Sequence, residues 1–374
     1  MKNMILMARP WAPTIDDMLP SLEAILKSKH FTNFGPKERE LSDQLCNMFG
    51  SKKFPLFSNG HLALEAMMQA LPKGEVIVPS FTFASTVHAI IQAGHKPVFC
   101  DIDPNSFCID VSDANKKITS QTKAILGVHV YGTPCDIENL QDTCKQHNLT
   151  LLFDGAHCFG SYYKSKPLGS YGDGCMFSFH ATKIFHTVEG GGISINTNRM
   201  DSDFIDRYRN FGLSSEGEAI SNGSNAKMSE FHAMFGLLGL DRFQEELEAR
   251  SKISNFYRDH LNDIKELKIP NKILGQNHSY FPILVHYKDP LAFKKRKELL
   301  HYLKNQNVMA RPYFWPAMHQ TKAFQIFSNH QSFPNSEEVS NSVICLPIYS
   351  GLTQQELESI DKAVRDGMVV ISNN

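Results

Sequence analysis

The chain has 374 residues, and its 38 lysines and arginines nearly balance its 39 aspartates and glutamates, for a net charge of -1. Charges of both signs are interspersed, which excludes the basic footprint that a nucleic-acid backbone demands. The length suffices for two domains, or one large domain with an appendage, around a sizeable core.

The opening residues, Met1 to Pro10, carry too short an apolar run for a signal peptide, and no later stretch approaches a membrane span, so a soluble cytoplasmic protein is expected. Two helices are expected at about 14–29 and 37–49, parted by Phe31-Thr32-Asn33-Phe34-Gly35-Pro36, whose glycine and proline mark a loop. From about Phe54 to Ile195 short apolar runs alternate with amphipathic segments, the pattern of strands joined by crossover helices. Strands are expected at 54–57, 76–78, 97–100, 124–130, 151–153, 174–178 and 191–195, with helices at 61–71, 84–94 and 136–148. This is an α/β unit with a largely parallel sheet.

A long helical stretch rich in Leu, Phe, Glu and Arg follows at about 227–262. Beyond it, a strand at 280–285 and helices at 290–305 and 353–369 read as a smaller α+β unit. The expected division is a large domain over 1–262 and a small one over 263–374. No internal repeat or low-complexity segment interrupts this plan. The eight cysteines include no CxxC pair and no zinc-type spacing, so no metal is expected and most read as small core residues.

The chemistry gathers around Lys183. The run Phe179-His180-Ala181-Thr182-Lys183, followed by Glu189-Gly190-Gly191-Gly192, sets one lysine on a tight loop between two core strands. A lysine in an apolar pocket has its pKa lowered, which frees the amine to attack a carbonyl, and pyridoxal phosphate is a common partner for such an amine. Taken alone, Lys183 reads far more readily as a surface-loop lysine beside a hairpin, since lysines are rarely fully buried.

Asp154 ends the apolar strand Leu151-Leu152-Phe153, where catalytic groups of α/β sheets gather. There its carboxylate suits a pyridinium nitrogen, although a helix N-cap is an equal reading. His157, three residues on, suits a ring oxygen, although a lone histidine after a strand is more often a structural hydrogen-bonder. Asn59-Gly60-His61 crowns a helix N-terminus, a place for phosphate, and Ser178 adds a hydroxyl. Phe83 sits at another strand-to-helix loop, where its face suits a pyridine ring, although a single phenylalanine is more often core.

Together these segments resemble the DegT/DnrJ/EryC1/StrS family of nucleotide-sugar aminotransferases, which have the aspartate aminotransferase fold (type I). The resemblance runs nearly end to end: Thr32-Asn33-Phe34-Gly35-Pro36, Asn59-Gly60, Pro79-Ser80-Phe81-Thr82-Phe83, Cys100-Asp101-Ile102-Asp103, Val128-His129-Val130-Tyr131-Gly132, Asp154-Gly155-Ala156-His157, Ser178 to Lys183, Glu189-Gly190-Gly191, Asn225 to Glu230, and Leu346 to Leu352. It implies a large domain with a mostly parallel mixed sheet flanked by helices, and a small C-terminal α+β domain.

The resemblance also implies roles. Lys183 would form the Schiff base with pyridoxal 5′-phosphate, which cycles with pyridoxamine phosphate. Asp154 would hold the ring nitrogen, His157 the ring oxygen and Phe83 the ring face, with Gly60, His61 and Ser178 at the phosphate. Asn225 would reach the phosphate of the neighbouring subunit's cofactor, implying a homodimer with shared sites. Relatives usually carry threonine where His61 stands, so its backbone amide or a protonated imidazole would have to serve. The run Ile184-Phe185-His186 after the lysine also departs from the asparagine usual there.

Within the family, the segments around Phe31, His129 and Lys227 are most similar to enzymes that aminate dTDP-4-keto-6-deoxy-D-glucose at C4, the viosamine type, with L-glutamate as donor. That implies a place in O-antigen, and so lipopolysaccharide, biosynthesis. Dehydratases of the family carry histidine at the lysine position, so Lys183 argues against that chemistry. Amination of a 3-keto sugar and a non-catalytic cofactor-binding role remain alternatives. His180, His186, Tyr313, Trp315 and His319 are candidates for the substrate pocket, each equally readable as packing or surface.

Overall fold

The apolar runs of the first two thirds assemble into one seven-stranded sheet because each can be buried on both faces. The computed structural model describes residues 4–328 and 330–373, so the reading of the first ten residues falls partly outside the described residues. Helices α1 (Ile15–Ser28) and α2 (Pro36–Phe49) precede the sheet. Thr14 and Asp17 close a reciprocal cap on α1. The N-terminus of α2 is capped from afar: Glu230 accepts from the N–H groups of Lys37 at 2.8 Å and Glu38 at 2.9 Å.

The strand-and-helix alternation then follows as β1 (Leu56–Phe57), α3 (Gly60–Gln69), β2 (Glu75–Pro79), α4 (Ala84–Gln92), β3 (Lys96–Cys100), α5 (Val111–Lys116), β4 (Thr122–Val128), α6 (Ile137–His147) and β5 (Thr150–Asp154). A short hairpin, β6 (Tyr162–Tyr163) and β7 (Lys166–Pro167), leads to β8 (Gly174–Ser178) and β9 (Gly191–Ile195). The sheet order is β1-β9-β8-β5-β4-β2-β3. Neighbours from β3 to β8 run parallel, while β9 is antiparallel to both β8 and β1. Alternation along each strand feeds two cores: Ile77, Ile125, Phe153 and Phe177 pack on one face, and Val76, Leu126, Leu152 and Met176 on the other.

After α7 (Ser202–Tyr208), the expected single helical stretch is two helices, α8 (Glu230–Asp241) and α9 (Phe243–Leu261), broken at Arg242 with φ -105° and ψ 0°. Phe243, the first residue of the second helix, packs edge-on against Phe159 at 4.9 Å. A second sheet, antiparallel in order β10-β11-β12, joins Leu267–Lys268, Phe281–Val285 and Val343–Leu346. It packs with α10 (Ala292–Asn305) and α12 (Gln354–Ser372), and α11 (Pro334–Ser342) runs directly into β12. Its core also takes Ile5 and, from α9, Ile253, Tyr257 and Leu261.

Two expectations shift in detail. The strand expected over 54–57 shrinks to Leu56–Phe57, and that over 124–130 stops at Val128. There a 3-10 turn over Val130–Gly132 holds Tyr131 at φ 55°. Helices α5, α7 and α11 and strands β6, β7, β10 and β12 were not anticipated, being short or lacking periodicity.

Candidate active site

Parallel pairing aligns the C-terminal ends of β4, β5 and β8, with Val128 opposite Asp154 and Asp154 opposite Met176. A cavity of about 340 Å³ opens at that edge. Asp154, Lys183, His157, Ser178, Gly60, His61, Phe83, His180 and Tyr313 all border it.

Asp154 is 5% exposed. Its Oδ2 accepts from the Thr86 hydroxyl at 2.8 Å and its Oδ1 from the Ala156 N–H at 3.1 Å. Thr86 in turn bonds Thr82 at 2.8 Å. Burial pushes the carboxyl above the usual aspartate range, while Ala156, Thr86 and the Lys183 cation work against it. Each carboxylate oxygen keeps lone-pair capacity for a further donor.

Lys183 rides on the loop between β8 and β9. That loop is anchored by buried Phe179 and Phe185, with Phe185 stacked on Phe159 at 4.3 Å. Backbone bonds from Lys183 N–H to the His180 carbonyl (2.8 Å) and from Thr187 N–H to the Phe179 carbonyl (2.9 Å) fix the turn. The half-buried Lys183 holds Nζ 5.8 Å from the Tyr280 ring centre. Burial lowers the ammonium pKa, with Tyr313 and Asp154 acting in the opposite sense.

His157 stacks against Phe314 at 5.5 Å and lies 4.4 Å from Tyr280. Its Nδ1 accepts from the Tyr131 N–H at 3.3 Å, which leaves the ring proton of the neutral imidazole on Nε2. Burial, helped by Lys183, holds its pKa well below the usual histidine range, so neutral is the form present.

Gly60 opens α3, and Asn59 caps it by accepting from the Leu62 N–H at 2.9 Å. The Gly60 and His61 N–H groups lie in the first turn, where no intrahelical acceptor exists. A side chain at Gly60 would meet Ser178 Cβ at 2.8 Å, and one at Gly191 would meet Gly60 N and Cα at 2.6 Å. Three backbones thus converge on a cradle whose donors are two amides and the Ser178 hydroxyl, a set that fits a phosphate. The His61 imidazole is committed elsewhere, to Ser85 Oγ and Gln92 Oε1 at 2.8 Å each, so it is not the phosphate contact considered as one option above. Phe83 is 57% exposed and turns an apolar face to the cavity, 6.2 Å from Phe314. Carboxylate, neutral imidazole, amine, aromatic face and amide cradle together fit pyridoxal phosphate.

Asn225, His186, Trp315 and His319 fall apart from this cluster. Asn225 is exposed, bonded to Lys227 at 2.8 Å, and not among the residues that border the cavity. The nitrogens of His186 are taken by the Trp11 carbonyl (3.0 Å) and the Val188 N–H (3.3 Å), and it borders a neighbouring cavity. Trp315 stacks on Phe293, and buried His319 bridges Ser80 and Glu337. His180 bonds Thr182 at 2.8 Å and lies 3.6 Å from Glu189. Burial pushes the Tyr313 phenol up to about 12. Sequence reading missed Thr86, Tyr280 and the segment Gln276–Ser279; only Thr82 and Thr86, one helical turn apart beside a strand end, left a local signal.

Sheet order and site together define an aminotransferase. The chain belongs to the DegT/DnrJ/EryC1/StrS aminotransferase family, whose model matches residues 14–365. It is 40% identical over 98% of its length to the whole of a dTDP-4-amino-4,6-dideoxy-D-glucose transaminase from Shigella dysenteriae. An Escherichia coli transaminase of the same name is 34% identical over 95% of this chain and 96% of its own. Among solved structures, DesI, crystallised in the presence of its TDP-sugar product, superposes with a TM-score of 0.90 at 30% identity, covering all of this chain and 96% of that one.

Proposed function

We propose that the protein moves the amino group of L-glutamate to C4 of dTDP-4-keto-6-deoxy-D-glucose, using pyridoxal 5′-phosphate that cycles with pyridoxamine phosphate. One observation carries this reading: Lys183, Asp154 and His157 border a single cavity beside the Gly60–Ser178 cradle. The full-length likeness to dTDP-4-amino-4,6-dideoxy-D-glucose transaminases supports the choice of sugar.

The cofactor, when bound, supplies a carbonyl that takes up an amino group and a ring that holds the electron pair released from the donor. Lys183 Nζ, favoured as the neutral amine by burial, takes the proton from the donor Cα and delivers one to the carbon being aminated. Asp154 offers its remaining lone pairs to a ring N–H, and His157 Nε2–H donates to a ring oxygen. Gly60 and His61 N–H with Ser178 Oγ hold phosphate, and Phe83 covers a ring face. His180 and Tyr313 border the same space and are proposed to touch substrate; His186, held by backbone, acts at most through its loop. The position of Asn225, exposed and outside its own cavity, supports a homodimer in which it serves the neighbouring site.

Synthesis of O-antigen and other lipopolysaccharide sugars in the cytoplasm belongs to the same reading. No helix among the described residues is long and apolar enough to cross a membrane. The test is to add L-glutamate to the cofactor-loaded protein, which should bleach its visible colour, and then to identify by NMR the amino sugar formed from the 4-keto substrate. Colour unchanged by glutamate, or turnover of a 3-keto sugar alone, would overturn the proposal.

A further inference from the structure

A small cavity lies where three parts of the chain meet: the loops that carry Phe107 and Thr133, helix α9, and the segment from Pro270 to Pro282 that enters β11. It shares no bordering residue with the active-site cavity. Its volume is about 20 Å³. One water needs about 10 to 15 Å³, so the space takes a single water or small ion and excludes a phosphate or a carboxylate.

Two polar side chains of α9 border this space. Ser254 is 0% exposed, yet among the described residues its Oγ has no hydrogen-bond partner, not even the carbonyl one turn back on its own helix. Arg258 follows one turn later on the same face, and its buried Nε–H is likewise unpartnered among the described residues. Arg258 Nη1 donates to the Pro270 carbonyl at 2.6 Å, which ties the guanidinium to the segment across the cavity.

The charge here is of one sign. No aspartate or glutamate borders the cavity, and burial depresses the Arg258 pKa with no carboxylate opposing it. Lys272, on the same segment, is met by the Asn255 amide oxygen at 3.0 Å. Burial, with the Lys272 and Arg258 cations, pushes the His278 imidazole down to about 4, so that ring is neutral and adds no charge.

An unpartnered guanidinium N–H and an unpartnered hydroxyl, buried without a counter-charge, suit an acceptor that is itself negative. A water would meet the hydrogen bonds and leave the charge uncompensated. We propose that Ser254 Oγ–H and Arg258 Nε–H bind one small monovalent anion of the halide class, chloride in ordinary buffers, between α9 and the segment Pro270–Pro282. The ion fastens that segment from behind. Gln276, which also borders the cavity, donates to the Tyr131 carbonyl at 3.0 Å and to Thr133 Oγ1 at 3.3 Å, and the Tyr131 N–H faces His157. The anion is a structural ligand that stiffens the support of His157, and it is neither substrate nor cofactor.

Two measurements on the cofactor-loaded protein test this. Crystals soaked in bromide should show an anomalous peak within hydrogen-bond reach of Ser254 Oγ and Arg258 Nε. In solution, as chloride replaces gluconate at constant ionic strength, the thermal unfolding midpoint of the wild type should rise saturably by about 2 °C. Ser254→Ala and Arg258→Gln should each lose most of that rise. Ser254→Ala removes a single oxygen from a helix, so the test stands even where Arg258→Gln fails to fold. A bromide-soaked crystal with no peak there, as a resident water would give, would overturn the proposal. So would a peak without any saturable chloride effect on the wild type, which is binding at crystal concentration only, and so would a chloride effect retained in Ser254→Ala.

Discussion

The side-chain amide of Asn277 donates at 2.8 Å to the carbonyl of His157, and at the same distance to that of Phe159. Its Oδ1 accepts from the Ser279 N–H at 3.0 Å, and Ser279 Oγ returns to the His157 carbonyl at 2.9 Å. Gln276 holds the Tyr131 carbonyl at 3.0 Å, and the Tyr131 N–H sets the His157 tautomer. A segment some 120 residues downstream therefore orients the imidazole. Gly132, at φ 83°, is required here, because a Cβ would lie 2.3 Å from Asn277 Oδ1.

Replacing Asn277 with alanine should cost about 2 to 4 kcal/mol, since the Phe159 carbonyl loses its donor and the Ser279 N–H its acceptor, while the His157 carbonyl keeps only Ser279 Oγ. Urea unfolding of the cofactor-free protein measures this. A loss below about 0.5 kcal/mol would mean that the carbonyls find other partners.

Lys183→Ala should abolish the visible absorbance of the lysine-linked cofactor and lower turnover by roughly 10²- to 10⁴-fold, the range for a lost general acid–base group. Transamination at the wild-type rate would remove Lys183 from the mechanism.

Asp154→Asn should separate stability from function. Burial raises the folded-state pKa of Asp154 above its unfolded value, so the ionised form is disfavoured in the folded protein. That cost appears as pH rises above the unfolded pKa, grows until the folded pKa is passed, and is constant beyond. The variant should therefore gain thermal stability relative to wild type more at pH 7 than at pH 4, in the cofactor-free state, while losing turnover. Equal differences at the two pH values would refute the linkage.

Thr86→Val removes one of the two hydrogen bonds that favour the Asp154 carboxylate. The acid limb of the rate profile should move to higher pH, with activity near neutral changed least. A profile superposable on wild type would show that Thr86 does not tune the site.

Gly60→Ala should destabilise the fold by about 1 to 3 kcal/mol, as overpacking does, and weaken cofactor retention. Equilibrium dialysis against pyridoxal phosphate reads the second effect. Full retention would mean that Ser178 can move aside.

Asp154 and Lys183 were legible in the sequence because each sits where an apolar run meets a turn, and runs buried on both faces are conspicuous. The break at Arg242 was not, since Asp241-Arg242-Phe243 contains neither glycine nor proline. Helical propensity is continuous there, and the contact of Phe243 with Phe159 is non-local. The use of the His61 ring was not legible for a related reason: Ser85 and Gln92, which hold it, lie 24 and 31 residues away. The Asn277 clamp is wholly non-local, so no window of sequence displays it.

The meeting of Gly60, Ser178 and Gly191 has a consequence for assembly. The amides of α3 lie on the first strand-to-helix junction, but their floor is supplied by β9, which enters the sheet between β1 and β8. A chain in which β9 has not inserted has no cradle to offer. Phosphate bound there, as proposed, would add its binding energy to holding together segments more than a hundred residues apart.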